Sequence, residues 1–256
     1  MRGVRWFWVV VCGAALFGGV ATGAEQPAEA AAEAAAKDKV ALAPLQSYIG
    51  GWRGVGQVQR GSNKGAWTEQ SDWAWHFDKQ HAAITFTAPK GKHFIAGEIR
   101  ATDQAGVYEL FASQAADDKT KRRFTGLIDD DGRLVFTVPK PDSDDSASPA
   151  PPADAVARIT LRQVAGGDRL VVLLEKRLAA GDRYAQVAEI GYTRIGAQFA
   201  QGSGKPECVV TGGAGTITVM HEGKTYFVCC TGCKELFEAD PADVLAEYKA
   251  KKAKEK

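Results

Sequence analysis

The sequence predicts a mainly β protein: an antiparallel up-and-down β-barrel of roughly nine or ten strands, joined to a small β-hairpin–helix module rich in cysteine. Three observations predict it. From residue 45 to 195, short runs of apolar, aromatic and β-branched residues alternate with turn signals. Trp67, Trp73, Trp75 and Phe77 share one parity, so a single strand face carries all four. Cys208, Cys229, Cys230 and Cys233 crowd into the C-terminal segment, while the remaining cysteine, Cys12, lies near the start.

Residues 1–24 read as a secretory signal. Arg2 and Arg5 give a positive start, Trp6 to Val20 an apolar run, and Thr22-Gly23-Ala24 a small-x-small cleavage site before Glu25. The run falls short of the about 20 residues a membrane span needs. An uncleaved N-terminal anchor is therefore the lesser alternative, and the only membrane link expected. Cys12 falls inside the discarded run. The expected location is periplasmic or secreted. Residues 25–44 form an Ala/Glu-rich spacer that favours helix but has no apolar face to dock. A formal charge of +1 leaves no basic footprint, so no nucleic acid partner is expected.

Residues 45–196 form the predicted barrel. Its strand-like stretches include Ala82–Thr87, Val107–Ala112, Leu134–Val138, Arg158–Gln163, Leu170–Leu174 and Tyr184–Thr193. Turns fall at Ser62-Asn63-Lys64-Gly65, Asp103-Gln104-Ala105-Gly106, Gly166-Gly167-Asp168 and Ala180-Gly181-Asp182. Asp129-Asp130-Asp131-Gly132 looks like half a calcium loop. The next ligand positions, Leu134 and Phe136, are apolar, so it reads as a hairpin turn. The Pro/Asp/Ser-rich segment 140–154 reads as a long hairpin loop within the barrel. A polar, Gly-rich linker, 197–207, separates the barrel from the cysteine module.

The module spans 208–248, ahead of a basic tail, 249–256. Its cysteines have a Cys-x20-Cys-x3-Cys spacing, counted through Cys208, Cys229 and Cys233. Thr216–Met220 and Lys224–Val228 read as two strands around a Glu222-Gly223 turn. This hairpin carries Cys229 back towards Cys208. Lys234–Glu238 is helical, and Asp240-Pro241 starts a second helix, with Asp240 as N-cap. In an extended Cys229-Cys230 pair the side chains point to opposite faces, so only one joins a common site easily. Three readings stand open: a thiolate metal site, structural disulfides, and a Cys230-Thr231-Gly232-Cys233 redox pair. The last lacks the βαβ surroundings of a thioredoxin-like fold. His221, beside the turn at the far end of the hairpin, reads as a solvated histidine, with a ligand role as the lesser alternative.

The string from Cys208 through Gly223-Lys224-Thr225-Tyr226-Phe227-Val228-Cys229-Cys230-Thr231-Gly232-Cys233 to Phe237 and Asp240-Pro241 resembles the YHS/TRASH heavy-metal-binding modules, which are treble-clef-like. The resemblance covers Cys208 to Tyr248. It implies that Cys208, Cys229 and Cys233 are metal ligands. Cys230 departs from the pattern and stands as a candidate fourth ligand. Soft thiolates select Zn, Cu(I) or another soft heavy-metal ion. Cys233 at a helix start would gain thiolate stability from the helix dipole.

The opening of the barrel, Gly50-Gly51-Trp52-Arg53-Gly54, resembles lipocalin-like and nitrobindin-like barrels, whose first strand carries Gly-x-Trp-x-Gly. In that resemblance Arg194 of the last strand packs over Trp52. A proximal haem histidine late in the barrel is missing, because His76, His81 and His93 all lie early, so no haem is expected. A small apolar ligand in the calyx remains an alternative role. No nucleophile elbow, phosphate loop or His-Glu-x-x-His motif occurs, so no catalysis is expected. The functional expectation is an exported metal handler or sensor. The alternative is a small-ligand carrier whose cysteine module is only structural.

Overall fold

A computed structural model describes residues 25–114, 121–139, 155–178, 183–195 and 206–254. The secretory signal at 1–24, the loop at 140–154, the turn at 180–182 and nearly all of the linker lie outside the described residues.

Period-two burial builds the barrel. Ten strands succeed one another: β1 (Gly50–Gln57), β2 (Trp67–Phe77), β3 (Ala82–Thr87), β4 (Ala96–Ala101), β5 (Val107–Ser113), β6 (Arg122–Ile128), β7 (Leu134–Thr137), β8 (Val156–Val164), β9 (Arg169–Arg177) and β10 (Tyr184–Arg194). Each pairs antiparallel with its sequence neighbours, and β1 pairs with both β2 and β10, which closes the barrel. Closure removes every sheet edge except where strands overhang. Along β2 the buried positions are Glu69, Ser71, Trp73 and Trp75, on the parity read from the sequence. The Asp129 turn is a hairpin turn. Its Oδ1 accepts from the backbone N–H groups of Asp131 and Arg133, and Gly132 supplies a φ of +73°.

One end of the barrel is fixed by Trp52, which is 0% exposed. Its indole Nε1 donates to the Tyr48 carbonyl at 2.9 Å. Arg194 lies 4.2 Å above its ring, the packing expected of this pair in the sequence. Burial lowers the Arg194 pKa, and its guanidinium is satisfied by the Ser47, Ile49 and Gly167 carbonyls. Trp52→Ala is expected to destabilise the barrel by about 3–5 kcal/mol. A urea unfolding midpoint that moves little would refute this packing role.

Helix α1 (Glu25–Leu42) departs from the undocked spacer expected for this segment. Its C-terminal end seats against β3 and β4. Leu42 is fully buried, and Asp38 accepts the Ala82 N–H at 3.2 Å. The docking contacts include Leu42, the Asp38 carboxylate and the Ala41 carbonyl, which accepts from the Tyr108 hydroxyl, a pattern too sparse for periodicity to reveal. A 3-10 turn, Ala43–Tyr48, comes next. It buries Leu45 and Tyr48, the latter 6.2 Å from the Trp73 ring.

The C-terminal unit comprises the hairpin β11 (Ile217–His221) and β12 (Lys224–Val228), then α2 (Thr231–Ala239) and α3 (Pro241–Lys254). Glu222 and Gly223 both have positive φ, 48° and 73°, which suits a two-residue hairpin turn. Asp240 Oδ1 accepts the Asp243 N–H at 3.0 Å and so caps α3. The first basic residues of the expected tail continue α3.

Candidate metal centre

Three separate elements bring the thiols together. Cys208 sits in a tight loop: its N–H donates to the Gly213 carbonyl at 2.7 Å, and the next residue, Val209, donates to Phe227 of β12 at 3.0 Å. Cys229 comes directly after β12, and Thr216 Oγ1 holds its carbonyl at 3.1 Å. Cys233 lies in the first turn of α2. The Sγ atoms of Cys208, Cys229 and Cys233 all lie within 4.8 Å of one another. None of the three is more than 4% exposed.

Cys230 is also drawn in. It is the residue preceding α2, and a bend at Cys229 breaks the extended pairing that would have opposed the two side chains. Its Sγ lies 3.8 Å from that of Cys229 and accepts the Trp75 N–H at 3.4 Å. All four cysteines are free. The Cys229–Cys233 separation of 3.5 Å is a contact between thiols, against about 2.05 Å for a disulfide.

Hydrogen bonds from Cys229 and then Cys233 hold the Cys208 and Cys230 thiols well below the ordinary thiol range. Cys229 and Cys233, as the donors, are pushed up. A buried cluster of this kind holds few thiolates alone, and a cation would favour all of them together. The donor set fits a soft cation in spacing too. A tetrahedral zinc with Zn–S of about 2.3 Å separates its sulfurs by about 3.8 Å, close to the contacts seen here.

Two groups that sequence reasoning did not single out touch the centre. Gln46, on the 3-10 turn, points its Nε2 at Cys229 Sγ, 3.6 Å away. Thr211 Oγ1 lies 3.5 Å from the same sulfur. Gln46 is 183 residues from Cys229, and no local pattern marks it. With Trp75, these residues help line a recess of about 370 Å³.

The histidines lie elsewhere. His221 packs edge-on against Phe237, with ring centroids 6.4 Å apart, at the hairpin end remote from Cys229. His76 and His81 are exposed, and His81 pairs with Asp38 at 3.3 Å. His93 lines a small cavity inside the barrel, of about 50 Å³. Burial, and then Lys92, lower its pKa. Its Nε2 has no hydrogen-bond partner among the described residues. Glu69 faces the same cavity and is 5% exposed. It accepts from Trp67 Nε1 at 2.6 Å and from the Tyr192 hydroxyl. Burial and the Glu69 carboxylate push the Tyr192 hydroxyl up. Glu69 shares the parity of the tryptophans, but an acid on that face reads as solvated unless its donors are known.

Fold and site together define a closed ten-stranded antiparallel barrel joined to a small hairpin–helix unit that carries a buried thiol cluster. No family model matches the chain. No curated protein matches it either. Among solved structures, the crystal structure of Rv2717c from M. tuberculosis is similar, with 18% identity and a TM-score of 0.36, over 60% of this chain and 96% of that one.

Proposed function

We propose that this is an exported, non-enzymatic protein that handles or senses a soft metal ion through Cys208, Cys229 and Cys233, with Cys230 available as a fourth thiolate. The observation that carries this reading is the buried convergence of three thiols, from three separate elements, within 4.8 Å. Thiolate ligands favour Zn or Cu(I) over hard cations. Three sulfurs suit Cu(I), and four suit tetrahedral zinc. The YHS/TRASH-like spacing of the cysteines supports the same reading, and the secretory pattern of residues 1–24 supports a periplasmic or secreted setting. The small-ligand carrier has less support. A cavity of about 50 Å³ has room for a few waters, at about 10–15 Å³ each on this measure.

The test is metal content with a free-thiol count, on mature protein purified without chelators. The expected result is about one zinc or copper ion per chain, with thiols that react only after chelation. Protein with neither metal nor reactive thiols would hold disulfides instead, and the metal reading would fail.

A further inference from the structure

Strand β2 outruns β1. Their pairing stops at Gly50 opposite Trp73, whereas β3 stays paired with β2 as far as Phe77. One edge of residues 74–77 is therefore left without a β1 partner, a position proteins usually protect. The cysteine unit covers it. Cys230 Sγ accepts the Trp75 N–H at 3.4 Å. Gly232 approaches so closely that an added Cβ would stand 1.7 Å from the Trp75 carbonyl oxygen.

The Trp75 side chain makes a second link. Its Nε1 donates to Gln46 Oε1 at 2.8 Å, while Gln46 Nε2 faces Cys229 Sγ. An indole N–H is donor only, so it fixes the amide with oxygen towards Trp75 and the NH2 towards sulfur. Gln46 stands on a rigid segment, because Arg194 and Gln163 both bond the carbonyl of the next residue, Ser47. Gly213 leaves the space its side chain fills. A Cβ there would lie 2.2 Å from Gln46 Nε2.

We propose that the barrel supplies the outer shell of the cysteine centre: Gln46, aimed by Trp75, positions Cys229, so that ion binding and docking of the C-terminal unit on β2 are one coupled equilibrium. The proposal rests on the metal reading above. A metal-bound thiolate accepts an N–H bond more strongly than a thiol does, so the Gln46 contact strengthens when the ion is present. By linkage, the factor by which the ion strengthens docking equals the factor by which docking strengthens ion binding.

The test uses the mature chain and cobalt(II) as the probe ion, titrated against a competing chelator. Gln46→Ala is expected to weaken cobalt binding by about 10–100-fold, the usual effect of losing an outer-shell partner. Gln46→Glu keeps the acceptor for the indole but loses the donor to sulfur, and should weaken binding at least as much. In the wild type, cobalt should slow hydrogen exchange at the Trp75 amide, and both variants should lose part of that protection. A merely structural role would lower barrel stability while leaving affinity and the thiolate-to-cobalt absorption band unchanged, which would overturn the proposal. So would a Trp75 amide indifferent to cobalt. If Gln46→Ala fails to fold by circular dichroism, Gln46→Glu and Trp75→Phe decide by the same readouts. A wild type that binds no ion overturns the metal reading itself, a result distinct from wild-type binding that ignores Gln46.

Discussion

If the thiols hold an ion as proposed, a chelator is expected to unfold residues 206–254 while the barrel stays intact. The C-terminal unit has a small core, built around Phe237, Val219, Val228, Val244 and Leu245. A unit of this size draws much of its stability from its metal. Structural zinc in comparable small domains contributes about 10–16 kcal/mol at neutral pH, more than the whole stability of many domains. The barrel has its own core and closed hydrogen bonding. Hydrogen exchange should therefore show fast exchange in β11, β12 and α2 after chelation, with β4 to β9 still protected. Acid should act in the same direction as the chelator. Protons compete with the ion for thiolates, so affinity falls as pH falls. Unchanged protection of β11 and β12 in the chelated protein would show that the unit folds without an ion.

Replacing the converging cysteines one at a time is expected to give a graded loss. Cys229→Ser and Cys233→Ser each remove a sulfur from the group held within 4.8 Å. Each should lower cobalt or zinc affinity by more than the roughly 10–100-fold of an outer-shell change. Cys208→Ser should match them, although its loop is remote in sequence. Cys230→Ser is the discriminating variant. If Cys230 is the fourth ligand, its loss should change the cobalt absorption from a four-sulfur to a three-sulfur pattern. If it serves only to accept the Trp75 N–H, the spectrum should stay and docking should weaken. Equal affinity in the wild type and all four variants would mean that the thiols hold no ion. Serine is nearly isosteric, so the loss of a soft ligand is separated from any cavity effect.

Much of this architecture was legible in the chain. The parity of Trp67, Trp73 and Trp75 placed one face of β2 inward, because side chains alternate along any strand. The stretches Ala82–Thr87 and Lys224–Val228 match β3 and β12 residue for residue. Asp240-Pro241 marked the start of α3, because a cap and a proline act within one turn. Trp52 and Arg194 were paired by resemblance, and the register of β1 with β10 places them opposite one another. Other features escaped because their partners are distant. Asp38 docks α1 by accepting the Ala82 N–H of β3, and buried Glu69 accepts from Tyr192, 123 residues away.

The cysteine centre divides in the same way. Hairpin signals in the sequence brought Cys229 back towards Cys208, because a hairpin returns the chain close to its start, and the set of Cys208, Cys229 and Cys233 followed from the family resemblance. Only the tertiary structure decided that Cys230 turns towards the others, and that Gln46 and Trp75 of the barrel stand against the thiols. Local sequence encodes local backbone geometry, whereas a hydrogen bond across 183 residues exists only once the barrel has closed and β2 offers its uncovered edge.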